Sequence, residues 1–217
     1  MNIGILGAGN VGGALGQSWA KKGHQVFFGV RDPNAPELQA RLSKAGENVR
    51  VGSLQEATDF GEVIVLTLPW EAVEETLGAI APSGSSRVTA NLEGKILLDC
   101  TNPNFSADAE QYHPVSGGER VAAWVPKTKV VKIFNTTGWE NMANPQYGSE
   151  SLTMLYAGDD AEAKAVAAQL ATHIGFEPLD AGPLVNSGLL ESLAQLWGKL
   201  AYGQKLGRNI AFKLLQR

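Results

Sequence analysis

The chain has 217 residues, 44% of them hydrophobic and 18% charged, proportions that suit a folded globular chain with an adequate core, as one domain or one domain with a small second lobe. Its formal net charge of −4 provides no basic field to condense onto nucleic acid or anionic lipid. Three histidines and a single cysteine exclude a cysteine-rich zinc site and a disulfide within one chain.

Asn2–Leu6 (NIGIL) is a short apolar run of strand length. It begins so early that no leader fits ahead of residue 4, and glycines cut the run far short of a membrane span, so a cytoplasmic protein without a membrane partner is expected. Gly7, Ala8, Gly9, Asn10, Val11 and Gly12 follow, then a helix-like segment ending at Lys22-Gly23, then a buried-looking strand over 24–30 (HQVFFGV). Strand, turn, helix and strand fit into about thirty residues, the length of one βαβ unit. In that setting G-x-G-x-x-G reads as a dinucleotide fingerprint. Gly7 makes the tight turn, Gly9 lets a pyrophosphate approach the backbone, and Gly12 lets the helix pack on the strand. The first N–H groups of the helix and its positive dipole end suit a diphosphate. A ligand-free glycine turn is the plainer alternative, but such a turn seldom needs three glycines at this spacing.

The end of the second strand decides between NAD and NADP. An NAD enzyme usually places Asp or Glu about twenty residues beyond the glycines, to bond the ribose 2′-hydroxyl. Val30 occupies that position and accepts no such bond, whereas the adjacent Arg31 can pair with a 2′-phosphate, which favours NADP. Asp32 would reach the ribose after a one-residue shift, but it precedes Pro33 and reads as the start of a turn.

Beyond residue 60 the alternation continues. Residues 62–68 (EVIVLTL) and 95–100 (KILLDC) are strand-length apolar runs, with Cys100 a structural thiol suited to a reducing compartment. Between them, 70–80 has helical spacing of Trp70, Val73, Leu77 and Ile80. This is a doubly wound α/β pattern with a mostly parallel sheet, in which ligands lie beyond the carboxyl ends of the strands. The loops at those ends hold Pro69 and Trp70, then Thr101, Asn102 and Pro103, then Asn135, Thr136, Thr137 and Gly138. Pro69 and Trp70 are read as an apolar wall beside the nicotinamide or adenine, or, for Trp70, as a core residue at a helix start. Residues 104–120 form the longest irregular segment and read as a lid or connection. After residue 150 come a strand (SLTMLYAG), an amphipathic helix stopped by Gly175, a short strand (FEPLDAG) and a helix over 187–207 that is apolar on much of its circumference. The expected division is therefore a dinucleotide-binding domain over 1–150 and a small C-terminal lobe over 151–217.

The blocks GILGAGNVGGALG, GVRDP, LTLPWEAV, LLDCTNP, VVKIFNTTGWENMANP, YAGDDAEAKAVAAQL and LDAGPLVNSGLLESLAQLW together resemble the NADPH-dependent coenzyme F420 reductases (F420:NADP oxidoreductases) and the related NADP-binding domains of ferric reductases of the STEAP type. The likeness runs over essentially the whole chain, and the LPWEAV and LDAGPL blocks are far more specific than the glycine motif. It implies a Rossmann-type fold, NADP(H) as cofactor and hydride transfer to a flavin-like acceptor such as coenzyme F420 or a flavin. By that likeness Gly7–Gly12 hold the pyrophosphate and Arg31 the 2′-phosphate. Leu68, Pro69, Trp70, Asn102 and Asn135 surround the nicotinamide half, and Thr136, Thr137, Pro183 and Leu184 lie towards the acceptor. The chain departs from the family on the acceptor side, with Asn135 in place of a common histidine, and Val185 and Gly188 in place of a hydroxyl residue and an arginine. The acceptor therefore stays open between a flavin, a ferric chelate, a quinone and a small carbonyl compound.

Hydride passes between two stacked rings at about 3–3.5 Å, and the rate comes from positioning. No nucleophile triad or metal-ligand spacing stands out, no catalytic residue is assigned, and His24, His113 and His173 read as structural or solvated. Two alternatives follow. Lys199, in the C-terminal helix, could serve as the proton donor of a β-hydroxyacid dehydrogenase or imine reductase. The chain could also be an NADP(H)-binding redox sensor. The apolar C-terminal helix further suggests a homodimer.

Overall fold

A computed structural model describes residues 1–36, 38, 46–78, 92–103 and 115–217. The apolar run at the N-terminus is strand β1 (Asn2–Leu6), and helix α1 (Asn10–Lys21) follows it directly. Strand β2 (Gln25–Gly29) returns parallel to β1, with Asn2 opposite Gln25 and Leu6 opposite Gly29. Helix α1 buries Leu15, Gly16 and Trp19, and the closeness of its packing depends on Gly16, where an added Cβ would lie 2.4 Å from the Phe28 ring. Strand β3 (Val49–Gly52) extends the sheet beyond β2. Helix α2 (Leu54–Phe60) then starts with a capping box, the Ser53 hydroxyl accepting the Glu56 N–H while the Glu56 carboxylate accepts the Ser53 N–H.

Strands β4 (Val63–Leu66), β5 (Ile96–Asp99) and β6 (Lys129–Lys132) complete a parallel set. Among the described residues the sheet has eight strands in the order β10-β9-β6-β5-β4-β1-β2-β3. The run β3-β2-β1-β4-β5-β6 is the doubly wound dinucleotide order, as the sequence pattern predicts, and its switch point lies between β1 and β4. Residues of each central strand alternate between two core clusters. Ile3, Ile5, Val63 and Val65 join one, and Leu6, Ile64, Leu66 and Leu97 the other, which is why these strands read as continuous apolar runs.

Several elements differ from the sequence pattern. Residues 70–80 are not one helix. A 3₁₀ turn (Trp70–Ala72) leads into α3 (Val73–Leu77), and Gly78 at φ +81° stops it; Ile80 lies outside the described residues. Within the segment read as irregular, 104–114 are outside the described residues, while α4 (Gly117–Trp124) begins on a second capping box, Ser116 with Glu119. After α5 (Trp139–Ala143) and a hairpin of β7 (Gln146–Tyr147) with β8 (Glu150–Ser151), β9 (Thr153–Gly158) joins β6 antiparallel. Helix α6 (Ala161–His173) carries the chain to β10 (Glu177–Asp180), which pairs parallel with β9, so residues after 150 extend the same sheet. The last helix, α7, spans Ser187–Gly198 and passes into a π turn at Lys199–Gly203, where a helix had been expected to run to 207. Among the described residues no helix is long and apolar enough to cross a membrane.

Candidate functional site

The switch point places the glycine loop at the carboxyl end of β1. Gly7 adopts φ +107°, closed to most side chains, and its N–H donates to the Gly29 carbonyl at 2.9 Å. A Cβ on Gly12 would lie 2.2 Å from the Gly7 carbonyl oxygen and 2.6 Å from Thr67 Oγ1. The Thr67 hydroxyl itself lies 2.9 Å from the Gly7 carbonyl oxygen and 3.1 Å from that of Leu6, locking this turn to the end of β4. Gly9 is the N-cap of α1, which starts with no capping side chain and no acid in its first turn. A Cβ built on Gly9 meets nothing within 4 Å. Space is therefore open at Gly9, and no carboxylate competes in the first turn of α1, an arrangement that fits a dinucleotide pyrophosphate. Ala8 is buried beneath the loop and Asn10 is exposed on it. Arg31 is exposed after β2. Beside it Asp32 is engaged as its sequence context predicts, its carboxylate accepting the Asn34 N–H at 3.0 Å in a local turn.

A cleft of about 380 Å³ opens at the same edge. It brings together Val11, Leu68, Pro69, Trp70, Asn102, Asn135 and Thr137 from the predicted set. Trp70 lines the cleft, and its partly buried ring also packs 5.5 Å from Trp124 and under the Arg120 guanidinium at 4.8 Å. Other predicted residues lie elsewhere. Gly7, Ala8, Gly9, Asn10, Gly12 and Arg31 are outside the cleft lining, on the loops after β1 and β2. Thr136 is buried and lines another, apolar cavity with Leu193 and Phe212. Leu184 is part of the core beside Val121, its N–H bonded to Asp159, and Pro183 before it is exposed. A 3₁₀ turn at Leu184–Asn186 turns this segment inward onto the core. Lys199 is exposed and not part of the cleft lining. His24 bridges to His173, with Nε2 and Nδ1 2.8 Å apart; His113 is outside the described residues.

Asn102 and Asn135 form a fixed pair. Asn102 Nδ2 donates to the Asn135 carbonyl at 2.9 Å, which turns Asn102 Oδ1 to accept from Asn135 Nδ2, also at 2.9 Å. That orientation leaves Asn135 Oδ1 as a buried acceptor without a partner among the described residues, in a residue 3% exposed at the cleft wall. An orphaned buried acceptor is costly unless a ligand donor meets it.

Behind this pair is a buried charge cluster invisible as such in the sequence. Lys132 Nζ is 3.0 Å from Asp99 Oδ2 and 2.8 Å from Glu191 Oε1, and donates to the Thr101 carbonyl at 2.6 Å. Asp99 also accepts the Thr101 N–H and hydroxyl, and Glu191 accepts the N–H groups of Gly117 and Gly118. Burial pulls the Lys132 ammonium towards neutrality, but Asp99 and Glu191 outweigh it and hold its pKa above the ordinary value. Cys100 lines the cleft as a neutral thiol, pushed well up by burial and then by Asp99. The remaining wall comes from residues with no place in the sequence reading, chiefly Trp139 and Met142 of α5, Trp197 of α7, Tyr202 and Arg208.

Residues 2–103 match the family of coenzyme F420-dependent NADP oxidoreductases. The resemblance read from the sequence motifs therefore holds. The chain is 30% identical over 193 residues to metalloreductase STEAP3 of Rattus norvegicus, aligning 88% of this chain with 36% of that protein, so it spans about a third of that relative's length. It is 28% identical over 211 residues to the F420-dependent NADP reductase of Methanothermobacter marburgensis, covering 90% of each. In three dimensions it superposes on a candidate F420-dependent NADP-reductase of Arthrobacter sp. FB24 with a TM-score of 0.85 over 100% of both chains, at 28% identity.

Proposed function

We propose that this chain is an NADP(H)-dependent oxidoreductase that transfers hydride between the dinucleotide and a flavin-like acceptor in the cleft. The observation that carries the reading is the open, uncapped glycine turn at Gly9, at the strand edge that also holds the cleft with Asn135. When bound, NADPH supplies a hydride, two electrons with one proton, and leaves as NADP⁺.

The N–H groups at the start of α1 hold the pyrophosphate, with Gly9 leaving room for it. Arg31 pairs with the 2′-phosphate. Leu68, Pro69 and Trp70 form an apolar wall that excludes water from the reacting ring, and the orphaned Asn135 Oδ1 takes a hydrogen-bond donor from the ligand. Residues 1–150 and 151–217 divide these tasks, the later residues closing the acceptor side. Val185, Leu189 and Leu196 are 50–68% exposed in and just before α7 and form the contact of a homodimer.

The test is anaerobic NADPH oxidation followed by absorbance, with coenzyme F420, FMN, FAD and a ferric chelate offered separately beside an NADH control. Turnover with F420 or a flavin is expected. Turnover with the ferric chelate alone favours a metal reductase, a reading for which the STEAP3 similarity speaks. Tight NADPH binding without turnover favours a redox sensor. Arg31→Ala is expected to raise KM for NADPH much more than KM for NADH, and equal effects would remove Arg31 from the 2′-phosphate.

A further inference from the structure

Resting on the reading of the cleft as the site of hydride transfer, we infer that Trp197, Tyr202 and Arg208 form an acceptor subsite that reads the flat ring of a conjugated heterocycle and is blind to any charged tail. All three residues line the same cleft as Leu68, Pro69 and Asn135, yet they come from the end of α7, the π turn and the tail that follows. The subsite is built before any ligand arrives. The Trp197 indole N–H donates to the Ile210 carbonyl at 2.6 Å, and the same carbonyl accepts from Asn141 Nδ2 at 2.8 Å, fixing the tail against the helix. The Tyr202 ring stands edge-on to Trp197, with centroids 6.1 Å apart at 90°. Arg208 bonds Glu140 through Nε and Nη2 and the Tyr202 hydroxyl through Nη1.

Tyr202 is thus held by an arginine that is itself held by a carboxylate, yet 53% of it is exposed. The Arg208 guanidinium lies over the Tyr202 ring at 5.6 Å from its centre, and the part of this fixed aromatic ring left open at the cleft is a platform for stacking. Charge sets the selectivity. The Arg208–Glu140 ion pair is neutral, so this wall offers no net positive field to a phosphate or polyglutamate tail. A guanidinium carries five N–H donors and three are engaged here, leaving two that suit ring carbonyl oxygens. At the start of α7 this chain has Gly188, which offers no side chain to a charged group. The acceptor class that matches is an uncharged, planar ring system bearing carbonyls, of which the isoalloxazine is the type.

The test is equilibrium binding without turnover. Oxidised lumiflavin, which is the ring alone, FMN and ferric nitrilotriacetate are titrated separately onto the NADP⁺-loaded protein and followed by calorimetry. Lumiflavin and FMN are expected to bind with Kd values within about threefold of each other. Tyr202→Ala is expected to weaken both by about three- to tenfold, and Tyr202→Phe to retain most of the affinity. Because Tyr202 is half exposed, an unchanged melting temperature shows that the variants are folded. FMN binding more than tenfold tighter than lumiflavin, binding of the ferric chelate in place of either ring, or ring affinity indifferent to Tyr202→Ala would each overturn the subsite. Failure of the wild type to bind NADPH or NADP⁺ would sink the cofactor reading separately, since Tyr202-dependent lumiflavin binding would still support the ring subsite.

Discussion

Replacing Lys132 with methionine should be among the most damaging single changes in this protein, although Lys132 touches no ligand. The side chain is fully buried and holds two carboxylates, Asp99 at 3.0 Å and Glu191 at 2.8 Å. Methionine keeps the volume but leaves two buried negative charges facing a neutral thioether. Each carboxylate retains two other donors, Thr101 for Asp99 and the Gly117 and Gly118 amides for Glu191, so neither is stripped bare. Breaking a buried pair by removing one partner costs about 3–5 kcal/mol. For a chain of this size each kcal/mol is worth about 2–4 °C of Tm, so a fall of about 6–20 °C is expected. The assay is thermal unfolding by circular dichroism at pH 8, with Kd for NADPH measured beside it. NADPH affinity should also drop, because the Thr101 carbonyl loses its ammonium donor and the Asn102–Asn135 pair loses its support. A Tm within about 2 °C of wild type would refute the reasoning.

Three further outcomes are expected. Gly12→Ala places a Cβ 2.2 Å from the Gly7 carbonyl oxygen, so it should cost about 1–3 kcal/mol in urea unfolding and weaken NADPH binding at least about tenfold by calorimetry; full retention of affinity would contradict the role of the glycine loop. Burial, the nearby N-terminus and His173 together depress the His24 pKa below 6.5, so the unfolded chain binds the extra proton first and stability should fall as pH drops below about 6.5. His24→Leu should flatten that fall between pH 7 and 5, and parallel urea-stability profiles for the two proteins would argue against it. Leu189→Glu should convert the expected dimer to a monomer in sedimentation velocity, and a wild type that is already monomeric would dismiss the α7 interface.

The dinucleotide half was legible because its physics is local. A strand too apolar for anything but a sheet interior, three glycines at fixed spacing and a turn at Asp32-Pro33 each act within a few residues. The capping boxes at Ser53 and Ser116 were equally local and could have been read from S-x-x-E, which would have revealed α2 and α4. The acceptor side was not legible in that way. Lys132 reads as one polar residue in an apolar strand, and its partners are 33 residues before it and 59 after it, at Asp99 and Glu191. Tyr202 reads as part of the helix expected over 187–207 and Arg208 as the residue after it, and only the folded chain, with its π turn at Lys199–Gly203, brings them to the cleft. Leu184 was misplaced for the converse reason, since LDAGPL is a strong motif but its leucine turns into the core.

Trp19 has a consequence for how this protein can be cut. It is on the helix that begins at the glycine loop and is fully buried, yet its indole N–H donates to Leu170, 151 residues further along, and its ring meets Phe134 edge-on at 5.6 Å. His24, a few residues later, reaches across to His173. The stretch 2–103 that matches the family model is therefore not a portable module here. An excised first half would present the indole and the apolar back of α1 to water, and during synthesis that helix has no finished seat until α6 has been made. The glycine loop is thereby made dependent on the late part of the chain, so damage to α6 is expected to reach Gly7–Gly12 through Trp19.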